Sequence, residues 1–230
     1  MPVILNIETS TNVCSVALTA EGTVICHRED FSGQNHATLL SGFIKECLDK
    51  AAEMEISLEA VAVSIGPGSY TGLRIGLSEA KGLCYALDIP LIGVDTLKIP
   101  CVNVMFGQEL SGDELFAPML DARRMEVYTA VYDFALKSLK EPSPMILDEH
   151  SYAEFLADRR VLFFGNGSNK ASSVITSPNA IFVADIVPLA VDMLPLSEQA
   201  YSRREFLDLA YSVPAYLKDF QATKPKSLLV

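Results

Sequence analysis

The chain has 230 residues, half of them hydrophobic, so it can bury a substantial core as one large domain or two modest lobes. A formal net charge of -11, with no basic patch, argues against unaided binding to nucleic-acid phosphates. The five cysteines are odd in number and lack C-x-x-C spacing, which favours a reducing compartment. The first ten residues lack the basic start of a signal peptide, and prolines and aspartates interrupt the apolar stretch 181–196. We therefore expect a soluble cytoplasmic protein.

Short apolar runs separated by turn residues predict three strands at residues 3–7, 13–18 and 23–28, joined as an antiparallel meander. Apolar residues at helical spacing then predict an amphipathic helix after Asn35. Further elements are predicted at 60–65 (strand), 71–87 (helix), 91–94 (strand) and from 96 (helix). Helices that separate strands imply parallel crossovers, so this half is expected to form a mixed sheet covered by helices.

The polar segment 107–114 is the predicted boundary between an N-terminal lobe, residues 1–106, and a shorter C-terminal lobe, residues 107–230. In the second lobe the pattern predicts two strands within 115–134, a helix at 151–159, a strand with a glycine turn at 160–167 and a final helix at 197–211. The fold class is α/β.

Three glycines, Gly66, Gly68 and Gly72, lie between a predicted strand and a predicted helix, where backbone N–H groups attract anions. The third glycine of a dinucleotide fingerprint would stand at Thr71, and the Gly-Lys pair of a P-loop is absent. The alternative is that Ser69 or Thr71 caps the helix and the glycines make the turn. Both interpretations stay open at this point.

The helix after the loop carries small residues at a spacing of four: Gly68, Gly72, Gly76, Ala80 and Cys84. Large apolar residues cover most of the remaining circumference, which predicts a helix buried nearly all round, with one face on the sheet and another on a partner. The alternative is a core helix enclosed by this chain alone. A cation at Arg74 opposes the helix dipole, so it is expected to meet a bound anion or an internal acid.

Other candidate chemistry is sparse. A metal site at His36 would need a ligand one turn later, where Leu40 stands, so no metal is expected. Asp121, Arg123 and Arg124 lie in a predicted turn and could hold a substrate or form a salt bridge. No Ser-His-Asp or Cys-His arrangement can be named from spacing, so no self-sufficient active site is evident.

Six segments together resemble the bacterial TsaB (YeaZ) family, in the family's order and over nearly the whole chain: ILNIETSTNVCSVAL, HATLLSGFIKECL, VSIGPGSYTGLRIGLSEAKGL, LDARRMEVYTAVYD, FFGNGS and YSVPAYLK. The second and third are the most specific. The resemblance implies an actin-like (ASKHA) fold of two related lobes. It also implies membership of the complex that places a threonylcarbamoyl group on the adenosine next to the anticodon of tRNAs that read A-starting codons.

Within that complex the resemblance implies a non-catalytic subunit that supports a catalytic paralogue, TsaD, whose metal-binding His-x-x-x-His corresponds here to His36 and Leu40. The family's heterodimer uses the first two helices of each subunit. The predicted interface therefore comprises Leu40, Phe43, Ile44, Cys47, Gly72, Leu73, Gly76, Ala80 and Leu83. An ATPase, TsaE, is expected to dock on the pair, and tRNA is expected to be reached only through the complex. No membrane binding is expected. The isolated chain is expected to form a homodimer.

The resemblance makes nucleotide binding secondary or vestigial, and leaves open a nucleotide at the subunit interface. Its candidate residues are Glu8, Thr9, Ser10, Gly66, Gly68 and Thr71, because the actin-like architecture keeps its first phosphate loop after the first strand. Glu8 stands where the family more often has Asp. The alternative function is an ATP-binding actin-like phosphotransferase that acts alone, and a glycoprotease is the least favoured.

Overall fold

The computed structural model describes residues 2–33 and 35–217 and arranges their strands in two five-stranded mixed sheets. The first sheet contains β1 Ile4–Glu8, β2 Cys14–Ala20, β3 Thr23–Asp30, β4 Ala60–Gly66 and β5 Leu91–Asp95, in the order β3-β2-β1-β4-β5. The second contains β6 Leu115–Asp121, β7 Glu126–Tyr132, β8 Ser138–Ile146, β9 Val161–Phe164 and β10 Ala180–Phe182, in the order β10-β9-β6-β7-β8. The helices are α1 His36–Glu53, α2 Tyr70–Leu87, α3 Ile99–Gly107, α4 Ala153–Leu156, α5 Ser168–Ala171 and α6 Leu194–Ser202.

The first sheet has the predicted organisation. Its first three strands pair antiparallel, and β4 and β5 run parallel to β1. Successive residues of β1 point to opposite faces: Leu5 packs under α1 and α2, and Ile4 packs against Met193 of a 3-10 turn on the other side. Because both faces are covered, all five residues of β1 are buried, including the polar Asn6 and Glu8, rather than alternately buried and exposed.

Two strands of the second sheet, β8 and β10, were not predicted. Both lie at the sheet edges, and β8 contains Pro142 and Pro144. Proline is tolerated on an edge strand because the missing N–H faces away from the ladder, but it removes the sequence signal for a strand. The edge position therefore explains why the pattern failed there.

The prediction of a final helix at 197–211 is wrong in its bounds, and the helix expected at 151–159 shortens to α4. Helix α6 begins three residues earlier, with Pro195 in its first turn, and ends before Arg204, whose φ of 56° is left-handed. The chain beyond it, residues 203–217, runs back along the first lobe. We call it the C-terminal strap.

The C-terminal part of the chain returns to the first sheet instead of staying with the second. Ala190 and Met193 are buried against Ile4 and Ile92, and the Ala190 N–H donates to Ser15 Oγ at 2.8 Å. The segment 107–114 thus separates the two sheets in sequence, while residues beyond β10 complete the core of the first. Across the described ranges no helix combines the length and apolarity needed to cross a membrane.

Candidate functional site

Three backbone donors of the glycine loop and the first turn of α2 are bonded within the chain. The Gly66 N–H donates to Thr96 Oγ1 at 3.2 Å, and the Ser69 N–H donates to the Ser10 carbonyl at 2.6 Å. Ser69 is the cap of α2, because its Oγ accepts the Gly72 N–H at 3.2 Å. The capping interpretation is confirmed, and these three N–H groups do not point at a free anion site.

The small residues of α2 let the helix pack closely onto the loop between β1 and β2. A Cβ at Gly68 would overlap the backbone of Ser10, and one at Gly72 would overlap the carbonyl oxygen of Thr9. The Thr9 hydroxyl also donates to the Gly72 carbonyl at 2.9 Å. The partner of the glycine ridge is therefore this chain's own first loop, which corrects the prediction that a neighbouring polypeptide covers it.

The predicted interface residues need the same correction. Seven are buried in the described chain by its own sheet and helices: Leu40, Ile44, Cys47, Gly72, Leu73, Gly76 and Ala80. Phe43 and Leu83 are half-buried and pack against the same core. The spacing of apolar residues in α1 and α2 marks the face that each helix packs against the sheet. A partner protein would therefore have to contact a different face of these helices.

That outer face forms a concave surface of about 730 Å³ between α1 and α2, which we call the α1–α2 groove. It is lined by Ala37, Tyr70, Thr71, Arg74, Ile75, Ser78 and Glu79. Ser41 on α1 donates to Glu79 Oε1 at 2.7 Å and so ties the two helices together beside it. The sequence reasoning missed most of these residues, although the spacing of 70, 74 and 78 marks one helical stripe.

Arg74 contacts an aromatic side chain, and the expectation of a bound anion stays a prediction. Its Nη1 donates to the Tyr70 hydroxyl at 2.7 Å, and its guanidinium lies 5.3 Å from the centre of the same ring. Tyr70 in turn packs against Tyr216 of the C-terminal strap, with ring centres 5.0 Å apart. The cation in the first turn of α2 is thus held over an aromatic side chain at the end of the groove.

A second concavity, of about 580 Å³, lies between the two lobes, and we call it the interlobe cleft. It is lined by Ser10–Asn12, 67–71, 120–123, Tyr128, Asn166 and the strap residues 215–217. Of the predicted cofactor residues, Ser10, Gly68 and Thr71 reach the cleft, and Glu8, Thr9 and Gly66 do not line it. A Cβ at Gly66 would come within 2.8 Å of the Ala215 carbonyl, so the strap lies directly over this part of the loop.

Glu8 is fully buried at the end of β1. Its Oε1 accepts the Ser10 N–H at 2.5 Å, while its Oε2 and the Ser10 hydroxyl have no hydrogen-bond partner among the described residues. Burial raises the pKa of Glu8 from 4.5 to about 7, and bonds to Ser10 and Ser64 offset this only in part. A carboxyl group that is partly ionised at neutral pH disfavours a phosphate beside it.

The opposite wall of the cleft is built on Asp121. Its Oδ1 accepts from Lys170 Nζ at 2.5 Å and from the Arg123 N–H at 2.6 Å. Burial opposes ionisation, but the Lys170 ammonium and these hydrogen bonds hold the pKa of Asp121 below its ordinary value. The salt-bridge interpretation of this turn is confirmed, and Arg123, with a φ of 71°, faces the cleft.

His36 is buried at the start of α1, with its Nε2 3.2 Å from the Val13 carbonyl. In residues 2–33 and 35–217 there is no group of three or more His, Cys, Asp or Glu side chains arranged to hold a metal ion. The geometry assigns His36 to joining α1 to the start of β2.

Comparisons with known proteins agree with this architecture. A family model described as "TsaD: tRNA N6-adenosine threonylcarbamoyltransferase" matches residues 30–227. Proteins named "tRNA threonylcarbamoyladenosine biosynthesis protein TsaB" from Bacillus subtilis and Escherichia coli are 32% and 29% identical to the chain. The alignments cover 94% and 96% of this chain, and 93% and 96% of those proteins.

Solved structures give the same result. The structure described as "YeaZ from Pseudomonas aeruginosa" has a TM-score of 0.80 and 29% identity, covering 94% of this chain and all of that one. A second, described as an uncharacterized protein with similarity to peptidase YEAZ from the same organism, has a TM-score of 0.82 and 28% identity, with 95% of this chain covered. Together with the two mixed sheets, these likenesses confirm the predicted actin-like α/β fold.

Proposed function

The chain belongs to the TsaB (YeaZ) family, and from that membership we propose that it is a non-catalytic subunit in tRNA threonylcarbamoyladenosine biosynthesis. Its role is to bind and support the catalytic paralogue TsaD, which transfers the threonylcarbamoyl group to N6 of the adenosine next to the anticodon. The observation that carries the proposal is the closure of the glycine loop onto the first loop of the same chain.

That closure supports a non-catalytic role because it takes backbone donors of the loop, and the space beside its glycines, away from a phosphate. A catalytic phosphate loop needs free N–H groups and space beside its glycines. Here the Ser69 N–H is bonded to Ser10, and Gly68 lies against the same residue. A buried Glu8 behind the loop adds negative potential. Nucleotide at the subunit interface stays a prediction.

The α1–α2 groove is the proposed contact with TsaD. It is exposed and combines apolar Ile75 with the opposite charges of Arg74 and Glu79, and Tyr85, 83% exposed, lies further along α2. An exposed mixture of this kind suits a polar–apolar protein interface. We propose that the same groove pairs two copies when TsaD is absent, that TsaE docks on the heterodimer, and that tRNA is reached only through the complex.

The test is reconstitution of threonylcarbamoyl incorporation into tRNA by TsaD, with and without this chain. Ser78→Arg places a long charged side chain in the groove, and the matched control is Ser173→Arg, an exposed serine just beyond α5 in the second lobe. We expect Ser78→Arg to lose co-purification with TsaD, to lower incorporation to the level without this chain, and to turn the homodimer into a monomer by light scattering. Ser173→Arg should behave as the unchanged protein.

Two results would contradict the proposal at different steps. Incorporation that does not depend on this chain would remove the supporting role itself. Full activity of Ser78→Arg alongside Ser173→Arg would leave that role in place and exclude the groove as the contact.

A second candidate, an ATP-binding phosphotransferase that acts alone, is favoured by one observation. The Ser10 hydroxyl is 2% exposed, lacks a hydrogen-bond partner in the described chain and borders the interlobe cleft. Calorimetry of the isolated chain with ATP and magnesium separates the two candidates. Thr71 is exposed and lines the cleft. Tight binding of ATP that is lost in Thr71→Ala would favour the phosphotransferase.

A further inference from the structure

Two cysteine thiols meet between the edge strand β3 and helix α1. Cys26, on β3, and Cys47, on α1, have their sulfur atoms 3.6 Å apart. Cys47 is completely buried and Cys26 is half-buried, so Cys26 is the more accessible of the two. All five cysteines of the chain are unpaired in the structure.

The strand that carries Cys26, β3, lies at the sheet edge and pairs with β2. Its register places Cys26 opposite Leu18 and Val24 opposite Thr19, which leaves Ile25 as an extra residue next to Cys26. Such a bulge disrupts the ladder locally. A disulfide needs a sulfur separation of about 2.05 Å, so Cys26 must approach by roughly 1.5 Å, and the bulged edge permits this without breaking a central strand.

The surroundings give the two thiols different reactivities. Arg28 donates from Nη1 to the Cys26 sulfur at 3.8 Å, while its Nε holds Glu46 at 2.5 Å. Burial, followed by the contact with Cys26, raises the pKa of the fully buried Cys47 to about 12. The half-buried Cys26 is the more accessible of the two thiols, so Cys26 is the attacking sulfur and Cys47 the resolving one.

We propose that Cys26 and Cys47 are a redox-active dithiol, which small-molecule disulfides oxidise to an intrachain disulfide. The Cys26 thiolate attacks one sulfur of the small disulfide, forming a mixed disulfide and releasing one small thiolate. The sulfur of Cys47 then attacks Cys26 and displaces the second small thiolate, and the Cys47 proton passes to a released thiolate. Two protein thiols are oxidised, and one small disulfide is reduced to two thiols.

The bond would join α1 to β3 across 21 positions of sequence. A crosslink of this length restricts the unfolded chain, so the oxidised protein should melt at a higher temperature than the reduced one. This difference depends on the crosslink and not on any partner protein, so it tests the dithiol independently of the proposed function.

The experiment treats the reduced full-length protein with oxidised glutathione and then blocks remaining thiols with N-ethylmaleimide. We expect reactive thiols in the unfolded protein to fall from five to three. Digestion with trypsin and Glu-C separates Cys26, in residues 22–28, from Cys14, so mass spectrometry identifies the linked peptides. Cys84→Ala, a buried cysteine of α2, should fall from four thiols to two.

Cys26→Ala should form no crosslink and should melt at the same temperature with and without oxidised glutathione. Retention of all five thiols in the unchanged protein would overturn the proposal. So would glutathione that stays on Cys26 without a link to Cys47, or a crosslink that involves Cys14.

Discussion

The hydroxyl of Tyr132, on the second sheet, donates a hydrogen bond of 2.9 Å to Oδ2 of Asp95, at the end of the first sheet. The other carboxylate oxygen accepts the Leu97 N–H at 2.9 Å, and the Lys98 ammonium lies 5.6 Å from the centre of the Tyr132 ring. Burial raises the pKa of Asp95, although these donors oppose the shift. The two lobes therefore meet at a buried polar junction behind the interlobe cleft.

The junction predicts the effect of Tyr132→Phe. The change removes one donor from the Asp95 carboxylate in a site that is largely shielded from solvent, so we expect a loss of about 1–3 kcal/mol in the free energy of unfolding. Urea unfolding measures this. The matched control is Tyr85→Phe, an exposed tyrosine that should change stability by less than about 0.5 kcal/mol. Equal effects in the two variants would mean that the junction contributes nothing.

The buried carboxyl of Glu8 predicts a pH dependence of stability. Its pKa is raised from 4.5 to about 7 in the folded chain, so the folded state holds an extra proton between these values. The contribution of Glu8 to stability is therefore largest below about pH 4.5, falls as the pH rises to about 7, and is flat above. By this shift Glu8 changes the free energy of unfolding by about 3 kcal/mol between the two pH limits.

Glu8→Gln removes this contribution, so its loss of stability between pH 5 and pH 8 should be smaller than that of the unchanged protein. Chemical unfolding at the two pH values measures the difference. Asp192 titrates in the same direction, with a pKa that burial raises to about 6, and it stays in both proteins. Identical pH slopes for both proteins would contradict the assignment.

Two glycines of α2 predict opposite effects of one substitution. A Cβ at Gly76 would overlap the Thr9 hydroxyl, whereas at Gly82 it would meet no atom within 4 Å. We expect Gly76→Ala to destabilise the chain by about 1–3 kcal/mol, and Gly82→Ala to stabilise it by about 0.5–1 kcal/mol. Guanidinium unfolding measures both changes.

Thr9→Ala combined with Gly76→Ala removes the overlapping hydroxyl and should recover part of the loss. Stabilisation by Gly76→Ala alone would show that α2 does not sit tightly on the first loop.

These contacts show which features of the fold could be predicted from the sequence and which could not. Strands β1, β2 and β4 were predictable because nearly all their residues are buried and turns bound each run, whereas β3, exposed or half-buried throughout, follows from the turn at Glu21 and Gly22 before it. The spacing of Gly72, Gly76 and Ala80 predicted a close approach to α2 correctly, but no periodicity states which backbone approaches. That backbone, at Thr9, is distant in sequence, so only the folded chain identifies it.

The candidate surfaces were less predictable for a related reason. Apolar spacing marks the faces that a helix buries, so it selected Leu40 and Ile44, which lie in the core. The α1–α2 groove is lined by polar and aromatic residues, such as Ser78 and Tyr70. Residues of these types also occur on ordinary exposed helix faces, so the sequence does not distinguish the groove from them. Its concavity comes from how the two helices pack together, which spacing does not encode.

The C-terminal strap predicts a local change that leaves the core intact. Lys81 on α2 donates from Nζ to the carbonyls of Ala210, at 3.2 Å, and Ser212, at 2.7 Å, while the Ala215 N–H donates to the Ile65 carbonyl at 2.7 Å. Lys81→Met keeps the aliphatic stem and removes all three donors of the ammonium. Amide hydrogen exchange at Ala215 should then become at least several-fold faster, because the strap opens without global unfolding.

The matched control is Lys45→Met on α1, where the ammonium pairs only with Asp49 on the surface. Such a pair contributes little, so exchange at Ala215 should stay at the rate of the unchanged protein. Amides of β1 should be unaffected in both variants, since the first sheet keeps its ladder. Unchanged exchange at Ala215 in Lys81→Met would mean that Leu207 and the Ala215–Ile65 bond hold the strap without the lysine. Equal acceleration at Ala215 and in β1 would instead indicate that the strap opens only when the whole lobe unfolds.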